Sequence, residues 1–253
     1  MRRRPSREPP RTPTGFVFGA NPVLETLRAA PGAIASVWVV PGTQAAARVA
    51  AVAQALGIAL EETDHAALDR LTAGGHHQGV AVRTRPFAYA TPEQVLDRRP
   101  ALLVALDGIT DPQNLGSIIR SAEVLGAGGL ILPLNRSAPV TAGAIRASSG
   151  ASAHLPIAQV VNLVRFLGDA KQRGYWIVGL DPVGPSQFQE LPPLERALLV
   201  VGGEGSGTRP LVRRVCDFVV RIPGRGRVAS LNAAVAAGIG LYALAEHSRD
   251  RRA

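Results

Sequence analysis

Lysine is nearly missing from this chain: Lys171 is the only one among 28 basic residues, and the rest are arginine. Cysteine is reduced to Cys216, which excludes an internal disulfide framework and points to a reducing compartment. Aromatic residues make up 4% of the chain, so any RNA binding cannot lean mainly on stacked aromatic platforms. Long apolar runs are absent too. Residues 233–245 carry no charge for thirteen positions, too few to span a membrane. The N-terminal MRRRPSREPPRTPTG has charge but no apolar core, which argues against a secretory signal and for a cytoplasmic protein. No cluster of His, Cys and acids has metal-ligand spacing. His76 and His77 sit beside glycines in a turn, so no metal is expected.

What is present is globular. The 253 residues are 46% hydrophobic and 19% charged, enough for one large domain or two ordinary ones. The net charge of +9 and the pI near 11.1 imply a polyanionic partner. The charge is uneven: +4 over residues 1–14, −1 over 15–84 and +6 over 85–253. Arg209, Arg213, Arg214, Arg221, Arg225 and Arg227 crowd one short stretch, with only Asp217 among them to oppose them.

The Pro/Arg-rich residues 1–14 read as a disordered basic arm. Residues 15–84 form a small α/β unit: Asn21-Pro22 reads as a cap and first helical residue, followed by strands at IASVWVV (34–40), near GIAL and at GVAVR (79–83), with helices at 43–56 and from Asp64. Two prolines in RPFAYATPEQ place a linker at 85–97. From 98 to 253 the apolar segments ALLVAL, GGLIL, YWIVGL, RALLVVGG and DFVVRI alternate with helical patterns near 114–126, 140–148, 161–173, 208–214 and 230–247. That alternation implies an α/β domain with a largely parallel sheet.

Three polar segments each follow an apolar strand. In DPQNLGSIIR, Leu115, Ile118, Ile119, Ala122 and Leu125 follow helical spacing, and Arg120 lies nearly opposite that stripe. Asn114 is placed to cap this helix, and Gly116 keeps its first turn open to a close approach. In ALLVVGGEGSGTRPLV a strand runs into four glycines around Glu204. The lysine that a phosphate-binding P-loop needs is missing, because Thr208 and Arg209 follow the last glycine; the loop suits a ligand that is not strongly anionic. In RIPGRGRVASLNAAVAAGIGLYALAEH a Gly/Arg loop leads to Ser230 and Asn232 at the start of a long helix of small residues. Any one of these segments could be an ordinary turn. Three together, at the strand ends where open α/β sheets bind ligands, form a site.

Taken together, DPQNLGSIIR, VVGGEGSG and IPGRGRVASLN resemble the three motifs of the SpoU (TrmH) branch of the SPOUT superfamily, in the family's order. GANPVLETL and HHQGVAV are similar to that family's ribosomal-protein-like substrate domain, as found in RlmB-type 23S rRNA guanosine methyltransferases. Motif three departs from the usual pattern at Gly224, Arg225 and Arg227. The resemblance implies a C-terminal SPOUT domain with a parallel sheet and a deep trefoil knot, a small N-terminal α/β substrate-binding domain, S-adenosylmethionine as cofactor, RNA (an rRNA) as partner, and a homodimer. Carried over by motif, Gly202, Ile222 and Leu231 contact the cofactor, and Asn114, Arg120, Glu204, Ser230 and Asn232 form the catalytic set. The activity implied is methylation of a ribose 2′-hydroxyl. A guanidinium is a poor proton acceptor, so orientation and stabilisation of the developing alkoxide suit Arg120 better than general base catalysis. Rival readings are a tRNA ribose methyltransferase, a resistance-type rRNA methyltransferase, or a non-catalytic knotted ribosome-assembly protein.

Overall fold

The computed structural model describes residues 16–203, 207–226, 228 and 230–249. The chain divides into two compact units, Met1–Phe87 and Ala88–Ala253. The arm expected over residues 1–14 lies outside the described residues.

The first unit contains β1 (Phe16–Phe18), α1 (Ala20–Ala29), β2 (Ile34–Val39), α2 (Gln44–Ala55), β3 (Glu61–Glu62), α3 (His65–Leu71) and β4 (Val80–Thr84). Its sheet runs β1-β4-β2-β3, and only the β2–β3 pair is parallel. Val37, Val39, Val80 and Val82 alternate onto one face and pack with Val23, Leu27 and Val49 of α1 and α2. On the other face a smaller cluster of Val40, Leu68 and Ala81 gathers Phe18, Trp38 and Leu71.

Helix α1 does not start at Asn21. It starts at Ala20 after Gly19, which has φ 89°, and the Ala20 N–H donates to Gln78 Oε1 at 2.8 Å. The cap comes from a turn far along the chain, beyond the reach of local pattern. Asn21 instead accepts from Arg48 Nη2 at 3.2 Å. The strand expected near GIAL forms one step later, at Glu61–Glu62, where the backbone meets Trp38 and Val39 of β2. Strand β1 was not anticipated; its partner β4 is more than sixty residues away.

The second unit contains α4 (Pro92–Asp97), β5 (Leu102–Asp107), α5 (Pro112–Val124), β6 (Leu130–Pro133), α6 (Ala142–Ala147), β7 (Ile157–Val160), α7 (Leu163–Gln172), β8 (Trp176–Leu180), β9 (Ala197–Gly202), α8 (Pro210–Arg214), β10 (Phe218–Val220) and α9 (Ala233–Arg249). Its six strands run β10-β8-β9-β5-β6-β7, all parallel. Strands β5 and β9 sit at the centre and are apolar up to their last residues, Asp107 and Gly202, because both faces are covered, as parallel sheets require. One face packs on α4 and α7 through Val95, Phe166 and Leu167. On α5, Leu115, Ile118 and Ile119 are wholly buried, each contributing about 1.5–3 kcal/mol of apolar burial. Helix α9 packs on α5 and β9.

The stretch 85–97 read as a linker holds α4. Thr91 and Gln94 form a reciprocal capping box, and Val95 and Leu96 enter the second unit's core. The prolines that suggested a break include Pro92, which stands in the first helical turn, where its missing N–H costs nothing. Strand β7 (IAQV) is a short edge strand that its sequence did not announce. Cys216 packs against the core and donates weakly to the Val212 carbonyl at 3.4 Å. Burial pushes its thiol up to about 11, against a smaller opposing pull from Lys171.

Candidate active site

At the C-terminal ends of β8 and β9 the sheet opens into a cavity of about 1000 Å³. Its walls are Leu180, Val201 and Gly202 from the strands, the segment after β10 including Ile222 and Gly224, and Leu231 to Ala236 at the start of α9. Of the residues named from the motifs, Gly202, Ile222, Ser230, Leu231 and Asn232 all line it. Glu204 and Arg227 lie outside the described residues.

Backbone packing shapes the glycine loop. A Cβ on Gly202 would overlap the Gly207 backbone, and one on Gly203 would overlap the Gly108 carbonyl. At Gly202 and Gly203 the backbone therefore packs against Gly207 and the end of β5 with no room for a Cβ. Asp107, at the end of β5, locks this arrangement. Its carboxylate is wholly buried and accepts from the Arg209 N–H at 2.8 Å and from Arg209 Nε at 2.6 Å. Charge-assisted bonds of this length hold a loop far better than neutral ones. Asp181 does the same after β8, accepting from Arg213 Nη1 at 2.6 Å and from the Val183 N–H at 2.9 Å. Arg221 then ties the segment after β10 to the carbonyls of Gly184 and Pro185, at 2.7 and 2.8 Å.

These contacts correct the reading of the arginine-rich stretch. Asp217 is not its counter-charge: it accepts from Lys171 at 2.7 Å and from the Ile177 N–H at 2.8 Å. Arg209, Arg213 and Arg221 are committed to cavity loops, Arg225 is exposed at the cavity wall, and Arg214 faces solvent. Asp107 and Asp181 were missed in the sequence. A signal existed, since β5 and β8 both run out in Leu-Asp.

Asn114 does not cap α5. Asp111 does, accepting from the Gln113 and Asn114 N–H groups at 3.1 and 3.2 Å, with Pro112 in the first turn. This leaves the Asn114 side chain to face α9, where its Oδ1 accepts from Asn232 Nδ2 at 3.0 Å. Asn232 is itself the α9 cap: its Oδ1 accepts from the Ala234 and Val235 N–H groups at 2.9 and 3.3 Å. Arg120 sits on a different side of α5. It is exposed and donates to Ser149 Oγ at 3.2 Å. A turn earlier on that side a Cβ on Gly116 would overlap Ala144 and Ala147 of α6, so the close approach there is α6 and not a ligand. The structure thus brings Asn114 and Asn232 together and puts Arg120 beside α6.

Among the described residues no group of three or more His, Cys, Asp or Glu side chains could hold a metal ion, and no helix is long and apolar enough to cross a membrane. The cavity residues fit a cofactor with an apolar ring and a polar, weakly charged body. Leu180, Val201, Ile222 and Leu231 offer apolar walls, the glycine-lined backbone offers close approach, and no described carboxylate lines it.

Residues 101–242 match the model of the SpoU rRNA Methylase family, and residues 16–90 match that of RNA 2′-O ribose methyltransferase substrate binding. A relative named as an uncharacterized tRNA/rRNA methyltransferase, from Mycolicibacterium paratuberculosis, is 46% identical over 260 residues, covering 98% of this chain and 83% of its own length. Among solved structures, the AdoMet-bound rRNA methyltransferase of Sinorhizobium meliloti is 27% identical with a TM-score of 0.63, over 92% of this chain and 87% of that one. The SpoU methyltransferase AviRb of Streptomyces viridochromogenes, in complex with AdoMet, is 26% identical with a TM-score of 0.65, over 94% and 90%.

Proposed function

The chain belongs to the SpoU rRNA methylase family, and from that membership we propose that it methylates the ribose 2′-hydroxyl of a guanosine in 23S rRNA, using S-adenosylmethionine. The RNA methyltransferase activity and the cofactor follow from the family; the guanosine and the 23S rRNA are the finer part of the proposal. One observation carries the reading: the motif residues Gly202, Ile222, Ser230, Leu231 and Asn232 line one cavity, and Asn114 is bonded to its rim.

When bound, the cofactor supplies an electrophilic methyl group on a sulfonium. Gly202, Ile222 and Leu231 hold it, the first through a backbone that no side chain obstructs. Asn232, fixed by its own helix cap and by Asn114, presents a rigid amide at the cavity wall. Ser230, exposed at the same wall, offers a hydroxyl to the ribose, and Glu204 orients the loop or the sugar. Arg120 orients the attacking hydroxyl and stabilises negative charge as the proton passes to solvent. The protein works as a homodimer in a reducing, cytoplasmic setting. Val235, Ile239 and Tyr242, spaced along one side of α9 and 40–58% exposed, suit a second copy. The deep knot expected of the family is part of the same reading.

Methyl transfer from labelled cofactor to separated 23S, 16S and tRNA fractions tests it, followed by mapping of the 2′-O-methyl position. Label on a 23S guanosine is expected. Label confined to tRNA replaces the target with the tRNA alternative. RNA retention without label identifies a non-catalytic assembly protein.

A further inference from the structure

We propose that the half-open face of the first unit's sheet is a stacking site for an unpaired RNA base, with Trp38 and Phe16 as its floor and Arg83 as its cationic edge. This rests on the RNA methyltransferase reading above and names a point of substrate contact within it. The strand register creates the site. Phe16 and Ser36 both lie opposite Arg83, and Trp38 lies opposite Ala81, so all five residues share one face. The alternating residues Val17, Val37 and Val82 go to the other face, against α1 and α2. On the open face the small cluster around Leu68 and Val40 takes up Phe18 and part of Trp38.

Phe16 and Trp38 are half-buried, with ring centroids 5.7 Å apart and planes only 11° from parallel. They are stacked in offset on one another, and the part of the stack left exposed is the apolar surface offered to a base. The Arg83 guanidinium carbon stands 5.6 Å from the centre of the Trp38 ring, and the residue is exposed. A planar cation beside flat rings is a combination that stacks nucleobases irrespective of sequence. The charge balance points the same way. Residues 15–84, which build the sheet, carry a net −1, so this face offers little attraction for phosphates, whereas stacking needs no net charge. Glu61, opposite Trp38 on β3, adds an acidic residue to this part of the sheet, a further reason to expect a base there and not a phosphate. With so few aromatics in the chain, this is one platform for one or two bases, with phosphate contacts left to other surfaces.

The full chain provides the test, because it has only two tryptophans, Trp38 and Trp176. In Trp176→Phe, emission reports Trp38 alone. A single-stranded oligoribonucleotide of rRNA sequence should quench it saturably, and an abasic oligomer of the same length should not. Phe16→Leu keeps an apolar side chain but loses the ring, and should weaken binding roughly tenfold with the salt slope unchanged. Trp38→Phe should retain most of the affinity, which separates loss of stacking from loss of folding. Retention of the RNA, read by anisotropy of a labelled strand, with silent Trp38 emission overturns the site and leaves the methyltransferase reading standing. Equal quenching by the abasic strand also overturns it. Neither retention nor methyl transfer overturns both.

Discussion

Helix α5 has two sides that carry motif residues, and they are held in place very differently. Toward α9, Asn114 and Asn232 are locked to one another and to the first turn of α9. Toward α6, the backbones are in close contact at Gly116, but Arg120 ends in solvent on one bond to a serine hydroxyl. Ser149 itself has φ 50°, a conformation non-glycine residues seldom adopt. The cavity wall is rigid before any ligand arrives. The arginine keeps the rotamer freedom of a long exposed side chain, and ordering it is left to the RNA. On the proposed roles, holding the cofactor and activating the hydroxyl fall to different sides of the helix, and substitutions should separate them.

The largest effect is expected from Arg120→Ala. Single-turnover methylation should fall ~10²–10³-fold while cofactor affinity and thermal melting stay near wild type. Arg120→Lys should rescue poorly, since a point charge does not reproduce a planar fork. If cofactor affinity falls in step with rate, the two sides of α5 are not separate.

Next comes Arg209→Ala, which strips the buried Asp107 carboxylate of its guanidinium partner. Breaking a buried pair costs about 3–5 kcal/mol, and the 44% exposure of the arginine brings this down to roughly 2–4 kcal/mol. Denaturant unfolding should show that loss, and cofactor titration should show a weakened cavity. Unchanged stability would mean that the glycine loop does not depend on this tie.

Asn232→Ala removes a helix cap, for about 1 kcal/mol, and with it the hold on Asn114. Melting and cofactor titration should both respond, in contrast to Arg120→Ala. The smallest structural effect belongs to Arg214→Ala, within about 0.5 kcal/mol at an exposed position. If Arg214 meets a phosphate, the log–log salt slope of RNA binding should shrink by about one unit. Arg213→Ala, which breaks the bond to Asp181, should lower stability more than Arg214→Ala does.

Much of this was legible because parallel strands buried on both faces leave unbroken apolar runs, as in ALLVAL and RALLVVGG, and because their polar ends stand out against them. The alternation of strands and helices gave the parallel sheet, and Gly202, Ile222, Ser230, Leu231 and Asn232 of the motifs line one cavity at strand ends, while Arg120 stands apart beside α6. What escaped depends on partners distant in sequence. Gln78 caps α1 from 58 residues away, and Asp107 meets Arg209 across 102. No local window contains either pair. The arginine-rich stretch misled for the same reason: charge counted along the chain says nothing of an acid brought in by another strand. The asparagine cap of α5 failed on a finer point. Asp111 and Asn114 are both good capping residues, and Pro112 decides between them by fixing the first turn one residue after Asp111.

Cys216 turns the fold into its own clock. Held against the core with its thiol pushed up to about 11, it carries almost no thiolate near neutral pH, so a maleimide or iodoacetamide meets an inert group while the chain is native. Once the region around α8 and β10 opens, the thiol regains its ordinary acidity and reacts. Because the chain has no other cysteine, each molecule can be labelled once, and the labelled fraction records how often that region has opened. The alkylation rate at fixed pH should therefore follow opening and slow down when a ligand fills the neighbouring cavity. Mass spectrometry of the single labelled thiol, with and without cofactor, checks that expectation with no engineered probe.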